Sequence, residues 1–180
     1  MKTIWFTSDT HFGHHNIIRY CNRPFADIDH MNETLISNWN SKVKNTDVVY
    51  HLGDVIFSHK KDVTLNLLRR LNGTKHIVWG NHDKYKNLIL EAGFIDCGSL
   101  SEITIPLGGN NLTQKIVLCH YPMVSWNGAF HGVIHLHGHV HGTLPFDKTL
   151  NRMDVGVDNV NFFPVNIHDI NEKFRQMRAT

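Results

Sequence analysis

Five times along this chain a short β-rich run ends in a turn carrying a metal-ligand type of residue. Residues 2–8 run into Asp9 and His11, and residues 47–52 into Gly53-Asp54. Residues 75–79 run into Gly80-Asn81-His82-Asp83, 115–119 into His120, and 133–137 into Gly138-His139-Val140-His141. In open α/β sheets ligands gather beyond the carboxyl ends of the strands. Strands lying side by side would bring all five turns to one patch. A sixth run, 103–107, ends in Gly108-Gly109 without such a residue and is expected to pair with the 115–119 run as a hairpin.

Between the early runs the pattern changes to a helical period. Residues 29–43 place Met31, Leu35, Ile36, Trp39 and Val43 on one face. Residues 62–71 do the same with Val63, Leu65, Leu67, Leu68 and Leu71, and stop at Asn72-Gly73. Residues 85–92 form a shorter candidate closed by Gly93. Strands alternating with helices imply βαβ units, and the second half is richer in strand and turn. The expected fold is α/β (α+β), with mixed sheets flanked by helices and the site at the strand C-terminal ends. With 180 residues, 41% hydrophobic and 19% charged, a single domain over 1–180 is expected, rather than a disordered or fibrous chain.

The eight turn residues Asp9, His11, Asp54, Asn81, His82, His120, His139 and His141 are a mixed O and N set without thiolate. That suits divalent Mn, Fe, Co, Ni or Zn better than Ca or a Cys-rich structural Zn. Eight groups exceed what one ion uses, so two ions are the economical reading, bridged by a carboxylate. Two ions roughly 3.5–4 Å apart can clamp a phosphoryl group and hold a hydroxide as nucleophile. Each block alone has an ordinary reading as a turn or a strand-end His. Together and in order they do not. His139 and His141, at i and i+2, reach one site only if the backbone bends between them.

The five blocks, Asp9-Thr10-His11, Gly53-Asp54, Gly80-Asn81-His82-Asp83, His120 and Gly138-His139-Val140-His141, resemble the motif set of calcineurin-like metallophosphoesterases. The wording of residues 6–25 and 154–165 is similar to a compact bacterial and phage branch of that family. The resemblance implies a four-layer αββα sandwich of two mixed sheets. It implies one ion on Asp9, His11, Asp54 and His141, and a second on Asp54, Asn81, His120 and His139, with Asp54 as the bridge and manganese the first choice of metal. It implies that His82 lies over the phosphate, as a charge stabiliser or proton donor. The expected activity is hydrolysis of a phosphodiester or phosphomonoester, with a small nucleotide-type substrate as partner. The alternatives are a metal-bearing scaffold without turnover and a nuclease acting on strand ends.

Other residues have two readings each. His14, with His15, either reaches the site or faces solvent. Arg23 either binds phosphate or pairs at the surface with Asp27 or Asp29. Asp83 orients His82 or caps the following helix. Trp126 stacks on a planar group or packs on the core, and Cys119 reads as a buried strand residue. His135 and His137 alternate with apolar residues and read as structural or supporting groups. Trp5 and Trp79 read as core, and Asp154 and Asp158 receive no role. Lys84, Lys86 and Arg69-Arg70 show no clustering with the motifs.

A net charge of +2 argues against a polyanion-coating protein, so long nucleic acid is a disfavoured partner. Three Cys, an odd number, argue against a disulfide framework and point to a reducing compartment. No apolar run approaches the roughly 18 residues of a membrane span. The N-terminal apolar stretch is short for a signal peptide. The expected location is cytoplasmic. Fifteen His residues remain the unusual number, and metal binding is the first explanation.

Overall fold

In a strand, successive side chains take opposite faces. That parity divides the apolar residues of this chain between two cores. The computed structural model describes residues 2–107 and 112–179. Its first sheet has the order β4 (Phe94–Asp96), β3 (Thr74–Ile77), β2 (Val48–His51), β1 (Ile4–Thr7) and β9 (Val165–Asn166). The first four are parallel and β9 runs antiparallel to β1. The second sheet has the order β5 (Leu100–Pro106), β6 (Thr113–Cys119), β7 (Ile134–His137) and β8 (Arg152–Asp154). There β5 and β6 form the expected antiparallel pair, and β6, β7 and β8 are parallel. The expected Gly108-Gly109 turn lies outside the described residues.

Trp5, Val49 and Ile77 face one way, into a core shared with α1 (His15–Tyr20), α2 (Ile28–Lys42), α3 (Lys61–Leu68) and α4 (Lys86–Glu91). Phe6, Leu52 and Val78 face the other way and meet Ile116, Leu118, Ile134 and Leu136 of the second sheet. The C-terminal α5 (Ile167–Ala179) adds Ile167, Ile170 and Phe174 to that inter-sheet core. On the outer face of the second sheet Val117 is covered by Trp126 and Val133, beside a 3-10 turn at Ala129–His131. Two mixed sheets with helices form an α/β architecture, as expected.

The helix of residues 29–43 appears as α2, with Met31, Leu35, Ile36 and Trp39 buried and Asp27 capping it through the His30 N–H at 2.8 Å. One helix position differs from expectation. Val63 is 40% exposed, and Thr64 takes the buried place beside Leu65, Leu67 and Leu68. Five strands and helices were not anticipated: α1, β4, β8, β9 and α5. The signal for α5 is present as Ile167, Ile170 and Phe174 at helical spacing, with Asn166 Oδ1 accepting from the His168 and Asp169 N–H groups. Among the described residues no helix is long and apolar enough to cross a membrane.

Candidate active site

The turns after β1, β2, β3, β6 and β7 meet at one rim, because all five strands are parallel within their sheets and end on the same side. Their backbones are tied together. Asp9 N–H donates to Gly53 O, His11 N–H to Asp54 O and Gly138 N–H to His120 O, each at 3.0 Å. Two motif glycines are explained by close approach. A Cβ at Gly80 would meet Asp54 Oδ1 and the Asp54 nitrogen at less than 3.0 Å. A Cβ at Gly138 would meet Ser8 Oγ and Asp9 Oδ2 at less than 3.0 Å. Five candidate ligands carry left-handed backbone: Asp9 (φ 57°), His11 (φ 50°), Asp54 (φ 57°), His139 (φ 71°) and His141 (φ 48°). For residues with a Cβ this costs about 1–3 kcal/mol each. The bend that His139 and His141 require is therefore observed.

The side chains converge on Asp54. His11 Nε2 lies 3.7 Å from Asp54 Oδ2, and His120 Nε2 lies 3.5 Å from the same oxygen. His11 Nε2 and His141 Nε2 are each 4.0 Å from Asp9 Oδ1. Asn81 Oδ1 is 3.0 Å from His120 Nε2. The His139 ring stands 5.1 Å from the His120 ring, centroid to centroid, and its backbone N–H donates to the Asp9 carboxylate. Ligand-type atoms of Asp9, His11 and His141, and separately of Asp9, Asp54 and His120, fall within 4.8 Å of one another. The His82 N–H donates to Asp54 Oδ1 at 2.8 Å, which hangs the His82 ring beside His11 at 5.7 Å between centroids.

The tautomers follow from the partners. His120 Nδ1 faces the Leu52 carbonyl at 2.7 Å, which only accepts, so Nδ1 carries the proton. In the neutral ring the Nε2 lone pair then points at the Asn81 and Asp54 oxygens. His141 Nδ1 donates to Asp158 Oδ2 at 2.7 Å, and its Nε2 is turned towards Asp9. Acceptors aimed at acceptors in a buried site call for a cation between them. Among the described residues, both nitrogens of the buried His11 have no hydrogen-bond partner. These orphaned nitrogens and the mixed carboxylate, imidazole and amide donors fit divalent ions of the Mn-to-Zn series.

Burial and neighbouring charges act differently on each of these groups. Burial pushes the Asp9 carboxyl up to about 8, although His141 and Ser8 pull against it. Burial holds His11 well below the ordinary imidazole value, with the Arg23 and His141 charges adding to it. At His141 burial is outweighed by the hydrogen bond to Asp158, then by Cys21 and Asp9, and its pKa is pushed up to about 10. Asp9 and His141 thus favour their protonated forms, whereas the buried His11 favours its neutral one. Asp9, Asp54, Asp83 and Asp154 are all buried.

Several secondary readings change. Arg23 neither faces the substrate side nor pairs at the surface. It is 4% exposed, donates twice to Asp158 at 2.8 Å, and donates to Asp9 O and Thr10 O. It therefore fixes the first ligand loop and the carboxylate behind His141. Asp83 neither orients the His82 ring nor caps α4. It accepts from the N–H groups of Asp54, Val55 and Gly80, clamping two turns together. Asp154 and Asp158, given no role from sequence, both serve the site: Asp154 accepts from Gly142 and Gly156 N–H, and Asp158 from Arg23 and His141. Cys21 was also passed over, and its sulfur lies within 4.8 Å of ligand-type atoms of His141 and Asp158.

His14 stands 5.3 Å from the His11 ring and stacks on Phe57 at 4.2 Å. Trp126 takes its packed reading, 6% exposed with Nε1–H donating to Val133 O. Trp5 and Trp79 are core residues. His135 and His137 are buried and bonded to backbone carbonyls. Cys119 is half-buried at the end of β6. Lys84 does adjoin the motifs, sharing a hollow with His82. A wider hollow of about 700 Å³ lies against α5 near Arg175 and Arg178, away from these ligands.

The sequence matches the family described as Calcineurin-like phosphoesterase over residues 2–164. An uncharacterized protein of Methanocaldococcus jannaschii is 39% identical, the alignment covering 93% of this chain and 88% of that protein. The gene 66 protein of Mycobacterium phage D29 is 28% identical, covering 88% and 89%. A solved structure, a protein of unknown function from Aquifex aeolicus, superposes with a TM-score of 0.73 at 25% identity, covering 96% of this chain and all of that one. With five motif turns gathered at one rim and a family match over nearly the whole chain, the protein belongs to the calcineurin-like phosphoesterases, metal-dependent hydrolases of phosphoester bonds.

Proposed function

We propose that the chain, as one domain over 1–180, hydrolyses a small phosphodiester or phosphomonoester of nucleotide type at a two-ion centre. Asp9, His11, Asp54 and His141 would hold one ion, and Asp54, Asn81, His120 and His139 the other. The observation that carries this is Asp54 Oδ2 standing 3.7 Å from His11 Nε2 and 3.5 Å from His120 Nε2, with the other His120 nitrogen bonded to the Leu52 carbonyl. One carboxylate oxygen thereby faces both halves of the donor set. Divalent ions bound there supply Lewis-acid stabilisation of the phosphoryl oxygens and an acidified water at neutral pH. Manganese is the first choice, with Fe, Ni, Co or Zn as alternatives.

The protein's own groups do the rest. Asp158 fixes the His141 tautomer, and Arg23 holds Asp158. Asp83 holds the Gly80 turn against the Asp54 turn, which places His82 by its backbone. His82 is half-buried at the open side, the place for a proton donor to the leaving oxygen or a partner for phosphoryl charge.

The test is hydrolysis of an aryl phosphodiester and an aryl phosphomonoester by chelator-stripped protein reloaded with each metal in turn, beside His82→Ala and Asp54→Asn. Metal-dependent turnover lost in both variants supports the proposal. Two bound ions without turnover on any substrate of either class would move the protein to the scaffold reading.

A further inference from the structure

Beside His82 lies a hollow of about 140 Å³ whose lining includes none of the candidate metal ligands. It is lined by Ile56, Phe57 and His59 from the segment after β2, and by His82, Lys84 and Tyr85 from the segment before α4. Ile56 is 4% exposed, and the two rings are open to solvent: Phe57 is 45% exposed and Tyr85 48%. Scattered single exposed aromatics need no explanation. Two in one hollow, on separate segments, with the proposed proton donor at its edge, do. The Phe57 ring has one neighbour stacked on it, His14 at 4.2 Å, and meets His82 edge-on at 5.9 Å. Tyr121 is also exposed, but its ring packs on His120 and His139 at 5.1 and 4.8 Å and so buttresses ligands instead of lining a hollow. Lys84 is exposed and lines the hollow.

We propose that this hollow is a subsite for a planar aromatic ring carried on the leaving-group side of the phosphoester, the ring of a nucleoside or aryl ester. The inference rests on the phosphoesterase reading, because the phosphoryl group at the ligand cluster is what sets the ring's position. His82 borders both regions, so a group leaving towards it enters this hollow. Phe57 and Tyr85 offer apolar faces to a ring of any sequence identity, and Lys84 adds a cation for ring π-density.

Binding to the manganese-loaded protein, measured calorimetrically, tests this without turnover. The methylene-phosphonate analogues of ribose 5-phosphate, adenosine 5′-monophosphate and phenyl phosphate, which carry no hydrolysable ester bond, are compared and named below by their parent esters. The nucleotide, the aryl ester or both bind about tenfold tighter than the sugar phosphate, a difference of about 1.4 kcal/mol. The nucleotide alone gaining marks a nucleoside ring, and phenyl phosphate alone gaining marks an aryl ring. Tyr85→Ala and Phe57→Leu each shrink the gap and leave ribose 5-phosphate unchanged. Phe57→Leu keeps bulk against His14 while removing the flat face. Equal affinity of all three ligands, or a gap indifferent to both substitutions, overturns the subsite. Turnover of the aryl phosphodiester is scored separately. Turnover without a gap removes the subsite and keeps the esterase, whereas a gap without turnover does the reverse.

Discussion

The two walls of the site are built differently. On the carboxylate wall Asp9, His11, Asp54 and His120 are 2% exposed or less, and their turns are tied by backbone and carboxylate bonds from Asp83, Arg23 and Gly138. On the aromatic wall Phe57 and Tyr85 are nearly half exposed and held by ring contacts. Buried charge tolerates little misplacement, since each unsatisfied group costs about 1–3 kcal/mol or more. A surface that selects a ligand needs access instead. Metal handling is thus expected to be brittle to substitution, and ligand choice graded.

The largest break is expected at Asp54→Asn, which removes charge from the oxygen shared by both halves of the donor set. Metal content read by elemental analysis should fall, and turnover should drop further than for any change at the open side. Full metal content with normal turnover would remove Asp54 as the bridge. His82→Ala comes next. It keeps the metals and loses about 10²- to 10⁴-fold in kcat for a poor leaving group, and less for nitrophenolate, which needs little proton help. An equal loss on both would argue for charge stabilisation in place of proton donation.

Asp158→Asn attacks the support behind His141. Metal affinity, measured by competition with a coloured chelator, should weaken about 10- to 100-fold. Thermal stability should also fall, because Arg23 is left buried without its counter-ion. Unchanged affinity would reduce the Arg23–Asp158 pair to a structural role.

The mildest effect per unit is on pH. Burial pushes His51 down to about 3 and His135 down to about 4, so both stay neutral in the fold. In the unfolded chain they protonate near 6.5, so below that pH the unfolded state binds more protons. The contribution of these two groups is therefore full above pH 6.5 and declines as pH falls towards 4, by up to about 1.4 kcal/mol per unit for each. A Tm of the chelated protein that stays flat between pH 6.5 and 4.5 would contradict this.

What was legible in the sequence was whatever depended on local chemistry. Strand ends bearing Asp or His, and the apolar face of α2, could be read because period and turn residues act over a few positions. The convergence of Asp9, Asp54, His120 and His139 followed from strand direction alone. Arg23, Asp158, Asp154 and Asp83 were misread or left unassigned because their partners lie far off in sequence. Arg23 and Asp158 are 135 residues apart, and nothing near Arg23 signals that it is buried. Asp83 sits beside His82 in sequence yet serves backbone of the Asp54 turn. The same holds for Phe57 and Tyr85, whose meaning comes only from the two segments facing each other.

The left-handed backbone at Asp9, His11, Asp54, His139 and His141 has a consequence for how such a molecule drifts over generations. Glycine adopts that conformation freely. In a metal-free protein a His139→Gly change would release about 1–3 kcal/mol of strain against roughly 0.4–1 kcal/mol of added chain entropy. Losing the site is thus downhill for the fold, and only the demand for chemistry holds these side chains in place. A lineage released from that demand would settle towards a more stable, inert descendant of the same architecture.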